Sequence, residues 1–224
     1  MRQKKLMLLG GIRYLLPVIE AAHEQGYYVI TADYLPDNIA HRYSDEYVNV
    51  SIIDKEAVLK VAREKEIDGI LSFGVDPGVV SASYVQTQMG IPSFGPFESV
   101  EILQNKDKFR TFLSENGFNV PWAFGFSSLE DALADTDKGN IIVEEFIEKQ
   151  GCSSDSDSFS VNGVLQFVSF SAQRFDENAA GTFVPAAFSW PSTMNMQQES
   201  ELRSELQRLL TLLHMKTAVY NIET

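Results

Sequence analysis

Over residues 1–97, short apolar runs alternate with stretches whose apolar residues recur at helical spacing, and this alternation narrows the fold more than anything else in the chain. Residues 6–9, Leu-Met-Leu-Leu, run into Gly10-Gly11; Leu15, Leu16, Val18, Ile19 and Ala22 follow at helical spacing as far as the C-cap pair Gln25-Gly26. Residues 27–32 form a second apolar run, closed by Asp33, and residues 44–50 suggest a short third strand. Asp54 is suited to cap a helix carrying Ala57, Val58, Val61 and Ala62. Residues 67–73 make a further strand, and Asp76-Pro77-Gly78 opens a helix with Val79, Val80 and Tyr84. Strands that alternate with helices predict a parallel sheet covered by helices on both faces.

In such a sheet, ligands gather at the carboxyl ends of the strands. Those ends carry Gly10, Gly11, Arg13, Asp33 and Asp76. A dinucleotide site with Asp33 on a ribose is the first thought, but Gly10-Gly11-Ile12-Arg13-Tyr14 lacks the third glycine of G-x-G-x-x-G. Two readings remain. The glycines simply make a tight strand-to-helix turn, or Gly11, Arg13 and Asp76 meet a small acidic substrate.

The length, 224 residues, admits one large domain or two small ones. A net charge of −13 with no basic block argues against a nucleic-acid partner. Nucleotides stay open, because a few lysines and backbone N–H groups suffice to hold them. The single cysteine, Cys152, excludes an internal disulfide and suits a reducing cytoplasm. No apolar run approaches the roughly 20 residues of a membrane span. The basic start before residues 6–9 resembles a signal peptide only superficially, since the apolar part ends at Gly10-Gly11.

Residues 141–147 read Ile-Ile-Val-Glu-Glu-Phe-Ile. The three β-branched residues predict a buried strand, with Glu144 and Glu145 where it leaves cover. That acid pair either sits at a domain seam and accepts from an amino group, or is a solvated strand end. Upstream, residues 99–103 form a short helix, and another begins near Lys106 and stops at Gly117. Lysines at a helix start oppose its dipole. Either an anionic ligand favours Lys106 and Lys108 there, or both are simply solvated. Downstream, residues 159–168 read as a hairpin around Asn162-Gly163, which residues 170–174 extend. Residues 183–188 precede a bend at Trp190-Pro191, and residues 199–215 form an amphipathic helix with Leu202, Leu206, Leu209, Leu210 and Leu213 on one face. His23, His41 and His214 lie far apart, so neither a zinc site nor a histidine-based triad is expected.

Asp107-Lys108-Phe109, with residues 117–121 closing the same helix, resembles the entry to the ATP-grasp fold. The preceding 97 residues resemble the domain ahead of that fold in carbamoyl-phosphate-synthase-like ligases. Residues 141–147 resemble its adenine-binding strand and hinge, and residues 219–223 its first magnesium-carboxylate strand. The resemblance implies an α/β chain: a Rossmann-like parallel-sheet domain over 1–97, a remnant of the first ATP-grasp subdomain and hinge over 98–148, and a partial second subdomain of α+β type over 149–224. It implies ATP and Mg2+ as cofactors. Lys108 would contact the phosphates, with Lys106 as the alternative. Glu144 and the Glu145 carbonyl would accept from the adenine amino group, and the Ile147 N–H would donate to the ring. Asp155 would take the ribose, and Glu223 would hold magnesium. Arg174 would either hold a substrate carboxylate or pair with Asp176 or Glu177. The partners implied are a small carboxylate and an amine, in the cytoplasm, with room for a homodimer.

The chain also departs from the family. Between residues 129 and 140 the pattern would place a strand with a second phosphate lysine and a glycine-rich loop; only Lys138, in an acidic turn, is there. The second magnesium strand expected after residue 223 does not appear in the sequence. Two accounts stand: a shortened form of a longer enzyme, or a natural member that binds without catalysing. Both predict little or no ligation by this polypeptide.

Overall fold

The computed structural model describes residues 2–126, 130, 141–145, 152–175 and 185–223. The chain forms two compact units, Met1–Gln104 and Asn105–Thr224.

In the first unit, β1 (Lys5–Leu9), β2 (Tyr28–Asp33), β3 (Glu46–Asn49) and β4 (Gly69–Ser72) form a parallel sheet in the order β3-β2-β1-β4. α1 (Leu16–Glu24) runs between β1 and β2, α2 (Lys55–Lys65) between β3 and β4, and α3 (Asp76–Met89) and α4 (Phe97–Gln104) follow β4. Successive strand residues point to opposite faces, and β1 and β2 are buried on both, so their runs are largely apolar without alternation. Met7, Leu9, Ile30 and Ile70 pack with Val58, Ala62 and Val85, while Leu8 and Val29 pack with Leu15, Ile19 and Ala22. Asp54 caps α2 as expected, accepting from the Ala57 N–H at 3.0 Å. Because β2 and β4 lie on opposite sides of β1, the loops leaving β1 and its neighbours diverge there, the usual place for a crevice.

In the second unit, α5 (Lys106–Glu115) is followed by β5 (Ala123–Phe126) and β6 (Ile141–Glu144), an antiparallel pair. A second antiparallel sheet has the order β10-β7-β8-β9, built from β7 (Ser154–Val161), β8 (Val164–Phe175), β9 (Pro185–Ser189) and β10 (Ala218–Glu223). The β7–β8 hairpin turns through Asn162 and Gly163, both at positive φ (51° and 80°), which only the favoured tight hairpin turn requires of two successive residues. A further helix of the second unit, α6 (Met196–Leu212), starts earlier than its leucine spacing suggests because Asn195 and Gln198 form a reciprocal capping box. Leu206, Leu209 and Leu210 are its buried face. Gln207 accepts from the Leu165 N–H at 2.8 Å and donates to the Gly163 carbonyl at 2.9 Å, seating α6 on the hairpin. Arg208 lies 3.7 Å over the Phe118 ring and donates to the Asn116 carbonyl at 3.0 Å, which ties α6 to the carbonyl end of α5.

Two expectations change. The strand expected to begin near Phe159 begins at Ser154, so the polar stretch is sheet and not loop. The reason is register. Ser156, Ser158 and Ser160 point into the unit beside Leu165 and Tyr220, where small hydroxyls are tolerated and two of them find partners. His214 lies past the end of α6 at φ 51°, in a left-handed turn, and not on the helix's last turn.

Candidate functional site

Asn105 caps α5 by accepting from the Lys108 N–H at 3.0 Å, so the helix begins where the sequence predicts. Lys106 and Arg110, one turn apart, reach the same carboxylate. Lys106 Nζ lies 2.5 Å from Glu144 Oε2, and Arg110 Nε lies 2.6 Å from Glu144 Oε1. Burial alone would raise the Glu144 carboxyl; the hydrogen bonds and charges of Lys106 and Arg110 outweigh it and hold the group below the ordinary glutamate range. Both oxygens of Glu144, the expected adenine acceptor, are thus engaged by side chains of α5. Gly125 lies under the first turn of α5, where an added Cβ would stand 2.7 Å from Asp107 Oδ1.

Glu145 follows β6 and continues its pairing: its N–H donates to the Trp122 carbonyl at 2.9 Å, and its side chain is exposed. Phe124 pairs with Val143 across the strands, and both are exposed, at 51% and 39%. The buried strand expected at 141–143 thus shows an open face at Val143. Lys108 is exposed on the first turn of α5. Ile147 and Lys138 lie outside the described residues.

A second cluster spans β7, β8 and β10. Asp155 stands opposite Glu223 on β10 and opposite Ser171 on β8, and Asp157 stands opposite Asn221. Asn221 Nδ2 donates to Asp155 Oδ2 and to Asp157 Oδ1, each at 3.2 Å, and Gln173 Nε2 donates to Glu223 Oε1 at 3.1 Å. Asp155 is 6% exposed, and its Oδ1 has no hydrogen-bond partner. Burial pushes its carboxyl up; the Asn221 hydrogen bond opposes this, and the neighbouring Asp157 and Glu223 charges reinforce it. The donor set is entirely oxygen, which suits a hard divalent cation. Among the described residues, no three of His, Cys, Asp and Glu are placed to grip a metal together. Asp157 and Asn221 carried no signal of their own, since the cluster depends on a pairing across 66 positions of sequence.

At the carboxyl ends of the first unit's strands, Arg13 is exposed in a short 3-10 turn and Asp76 is the exposed first residue of α3. Gly11 is required by packing: a Cβ there would stand 2.5 Å from the Asn38 Cβ and 2.6 Å from the His41 ring. Asp33 is buried and accepts from Asn38 Nδ2 at 2.7 Å, a loop-holding role. In the second unit, Arg174 donates to Ser189 Oγ at 3.0 Å and lies 2.9 Å from Cys152 Sγ; Asp176 and Glu177 are outside the described residues.

No family model matches the chain. Part of it is similar to the carbamoyl phosphate synthase large chain of Pseudothermotoga lettingae, 24% identical over 145 residues, covering 59% of this chain and 13% of that protein. Solved structures follow it over nearly its full length. The phosphoribosylglycinamide synthetase of Anaerococcus prevotii matches with a TM-score of 0.82 at 19% identity, covering 99% of this chain and 64% of that one. The fold is that of the ATP-grasp ligases. The L-amino acid ligase of Bacillus licheniformis matches with a TM-score of 0.77 at 20% identity, over 100% of this chain and 64% of that one. The N5-carboxyaminoimidazole synthetase of Staphylococcus aureus, solved with ADP, matches with a TM-score of 0.68 at 10% identity, over 100% and 66%. The chain thus spans under two thirds of the first two ligases' length and about an eighth of the carbamoyl phosphate synthase chain. Among the described residues, no helix is long and apolar enough to cross a membrane.

Proposed function

We propose that this ATP-grasp chain binds Mg-ATP and derives from an ATP-dependent carboxylate–amine ligase of the cytoplasm. In that reaction, a substrate carboxylate oxygen attacks the γ-phosphorus of ATP, releasing ADP and leaving an acyl phosphate. The amine then attacks the acyl carbon, a proton is lost, and inorganic phosphate departs. No enzyme nucleophile is needed; positioning and charge neutralisation supply the rate.

The observation that carries the reading is the likeness of fold over 99% of the chain to a synthetase of this class. In this reading, Lys108 contacts phosphate oxygens, the backbone of Glu145 and Ile147 reads the purine edge, Asp155 meets the ribose and Glu223 is a magnesium ligand. Glu144 braces the strand against α5, with its carboxylate already engaged by Lys106 and Arg110. Gly11, Arg13, Asp76 and Arg174 are the candidates for substrate contact. Turnover is expected to be absent, because the sequence between residues 129 and 140 offers Lys138 alone where a lysine strand and a glycine-rich loop belong. The alternative reading, a module that holds a nucleotide or small acid without chemistry, differs only in that absence being native.

Titration of Mg-ATP into the chain and into Lys108→Ala tests the reading. Binding weakened tenfold or more by the substitution supports it. Equal binding by both removes Lys108 from the site. ADP formed only when a carboxylate and an amine are both present would show that the chain is a working ligase.

A further inference from the structure

Of the seven large apolar side chains that stand exposed among the described residues of the first unit, all but Tyr43 lie in segments leaving the carboxyl ends of its parallel strands: Ile12 and Tyr14 after β1, Tyr34 and Leu35 after β2, Ile53 after β3 and Phe73 after β4. Scattered exposed apolar residues are ordinary; a set confined to one end of a sheet marks a binding surface. Leu9 pairs with Ala32 on one side and Ser72 on the other, so Tyr34 and Phe73 leave the sheet on either side of Gly10, about 10 Å apart at two strand spacings. These segments are tied to one another. A Cβ on Gly74 would stand 3.3 Å from the Tyr14 Cβ, the Ala40 N–H donates to the Gly11 carbonyl at 2.9 Å, and His41 Nε2 lies 3.0 Å from the Leu35 carbonyl.

The same end is poor in cations. Among residues 10–15, 34–41, 50–54 and 73–75, Arg13 is the sole lysine or arginine, while the exposed Asp37 and Asp76 stand at this end too. A phosphate dianion needs more than that. The Gly10-Gly11 turn, a natural cradle for one, is filled from within by Asn38 and the His41 ring, 2.5 and 2.6 Å from where a Gly11 Cβ would stand. The starts of α1 and α3 each lose an N–H donor to proline, at Pro17 and Pro77. One guanidinium suffices for a carboxylate, which it grips with two parallel N–H donors. We propose that this end of the first unit binds an unphosphorylated carboxylic acid with an apolar, ring-sized body. Arg13 takes the carboxylate, Tyr14 and Phe73 form one wall, and Tyr34 and Leu35 form the other. The inference rests on the ligase reading above for the fate of the acid, and deepens it by naming the acid's class.

The test uses the full chain, isotope-labelled and free of nucleotide, and follows its amide resonances as ligand is added. Phenylacetate is expected to saturate with a dissociation constant of about 1 mM or tighter, shifting the amides around Arg13, Tyr34 and Phe73. Acetate, which lacks the body, and phosphoglycolate, which adds a phosphate, are expected to bind weaker by about tenfold or more. Arg13→Gln is expected to weaken phenylacetate by about tenfold or more, and Tyr14→Ser or Phe73→Ser by about three- to tenfold, with the amide spectrum otherwise native. Tyr43→Ser, at the exposed tyrosine outside this end, is expected to change nothing. No shift at these loops, phosphoglycolate as the tighter ligand, or equal weakening by Tyr43→Ser overturns the inference. So does concentration-dependent pairing of two chains through these aromatics with no acid bound. Phenylacetate bound there by a chain that ignores Mg-ATP upholds the inference and rejects the nucleotide reading alone; Mg-ATP binding with no response to the acid does the reverse.

Discussion

Removing the Glu144 carboxylate should cost the second unit about 2 kcal/mol. The size follows from its two partners. Arg110 and Glu144 are 26% and 20% exposed and meet at 2.6 Å, so their bond is charge-assisted and partly screened from water, worth about 1.5 kcal/mol. Lys106 is 58% exposed and adds no more than about 0.5 kcal/mol after solvent screening. Glu144→Gln keeps the shape of β6 and removes the charge. Both tryptophans, Trp122 and Trp190, lie in the second unit, so urea unfolding followed by tryptophan fluorescence reports on that unit alone. A double-mutant cycle with Arg110→Gln isolates the pair. The native carboxyl titrates below its unfolded value, so its stabilisation is complete above the unfolded value and disappears as the pH falls through the lowered folded one. The reasoning fails if the cycle shows less than about 0.3 kcal/mol of coupling at neutral pH, or if the coupling survives once the carboxyl is protonated.

Ser158 Oγ is buried without a partner, so Ser158→Ala should leave the second unit's stability unchanged or raise it by up to about 1 kcal/mol in the same urea assay. Gly11→Ala should destabilise the first unit by about 1–3 kcal/mol, read by circular dichroism, because its Cβ meets the Asn38 Cβ and the His41 ring well inside contact distance. Asp45 sits partly buried, which would raise it; the Val29 N–H at 2.7 Å and His23 outweigh this and lower it. Its contribution is therefore present above the unfolded aspartate value and lost as the pH falls through the lowered one. Asp45→Asn should accordingly flatten the acid limb of the first unit's stability by less than about 1 kcal/mol, given its exposure.

Local signals were enough for the first unit and for one hairpin of the second. Continuous apolar runs at β1 and β2, the cap at Asp54 and the hairpin turn at Asn162-Gly163 each have a short-range cause, and each element formed where that cause lies. The start of β7 was hidden because Ser156, Ser158 and Ser160 put hydroxyls on a core face, so the alternation that marks a strand was absent. The role of Glu144 was hidden for another reason. Its spacing from Arg110 is 34 residues, and nothing local says that a basic ridge on α5 crosses that strand end. The pairing of β7 with β10 likewise decides that Asp155 meets Glu223, and register at that separation is a property of the folded sheet.

The central claim is that this fold holds a purine nucleotide with its metal, and calorimetric titration of Mg-ATP beside NAD tests it most directly. The account predicts one saturable Mg-ATP site, weakened by Lys108→Ala, and no heat from NAD. Saturable NAD binding with no response to Mg-ATP would contradict it.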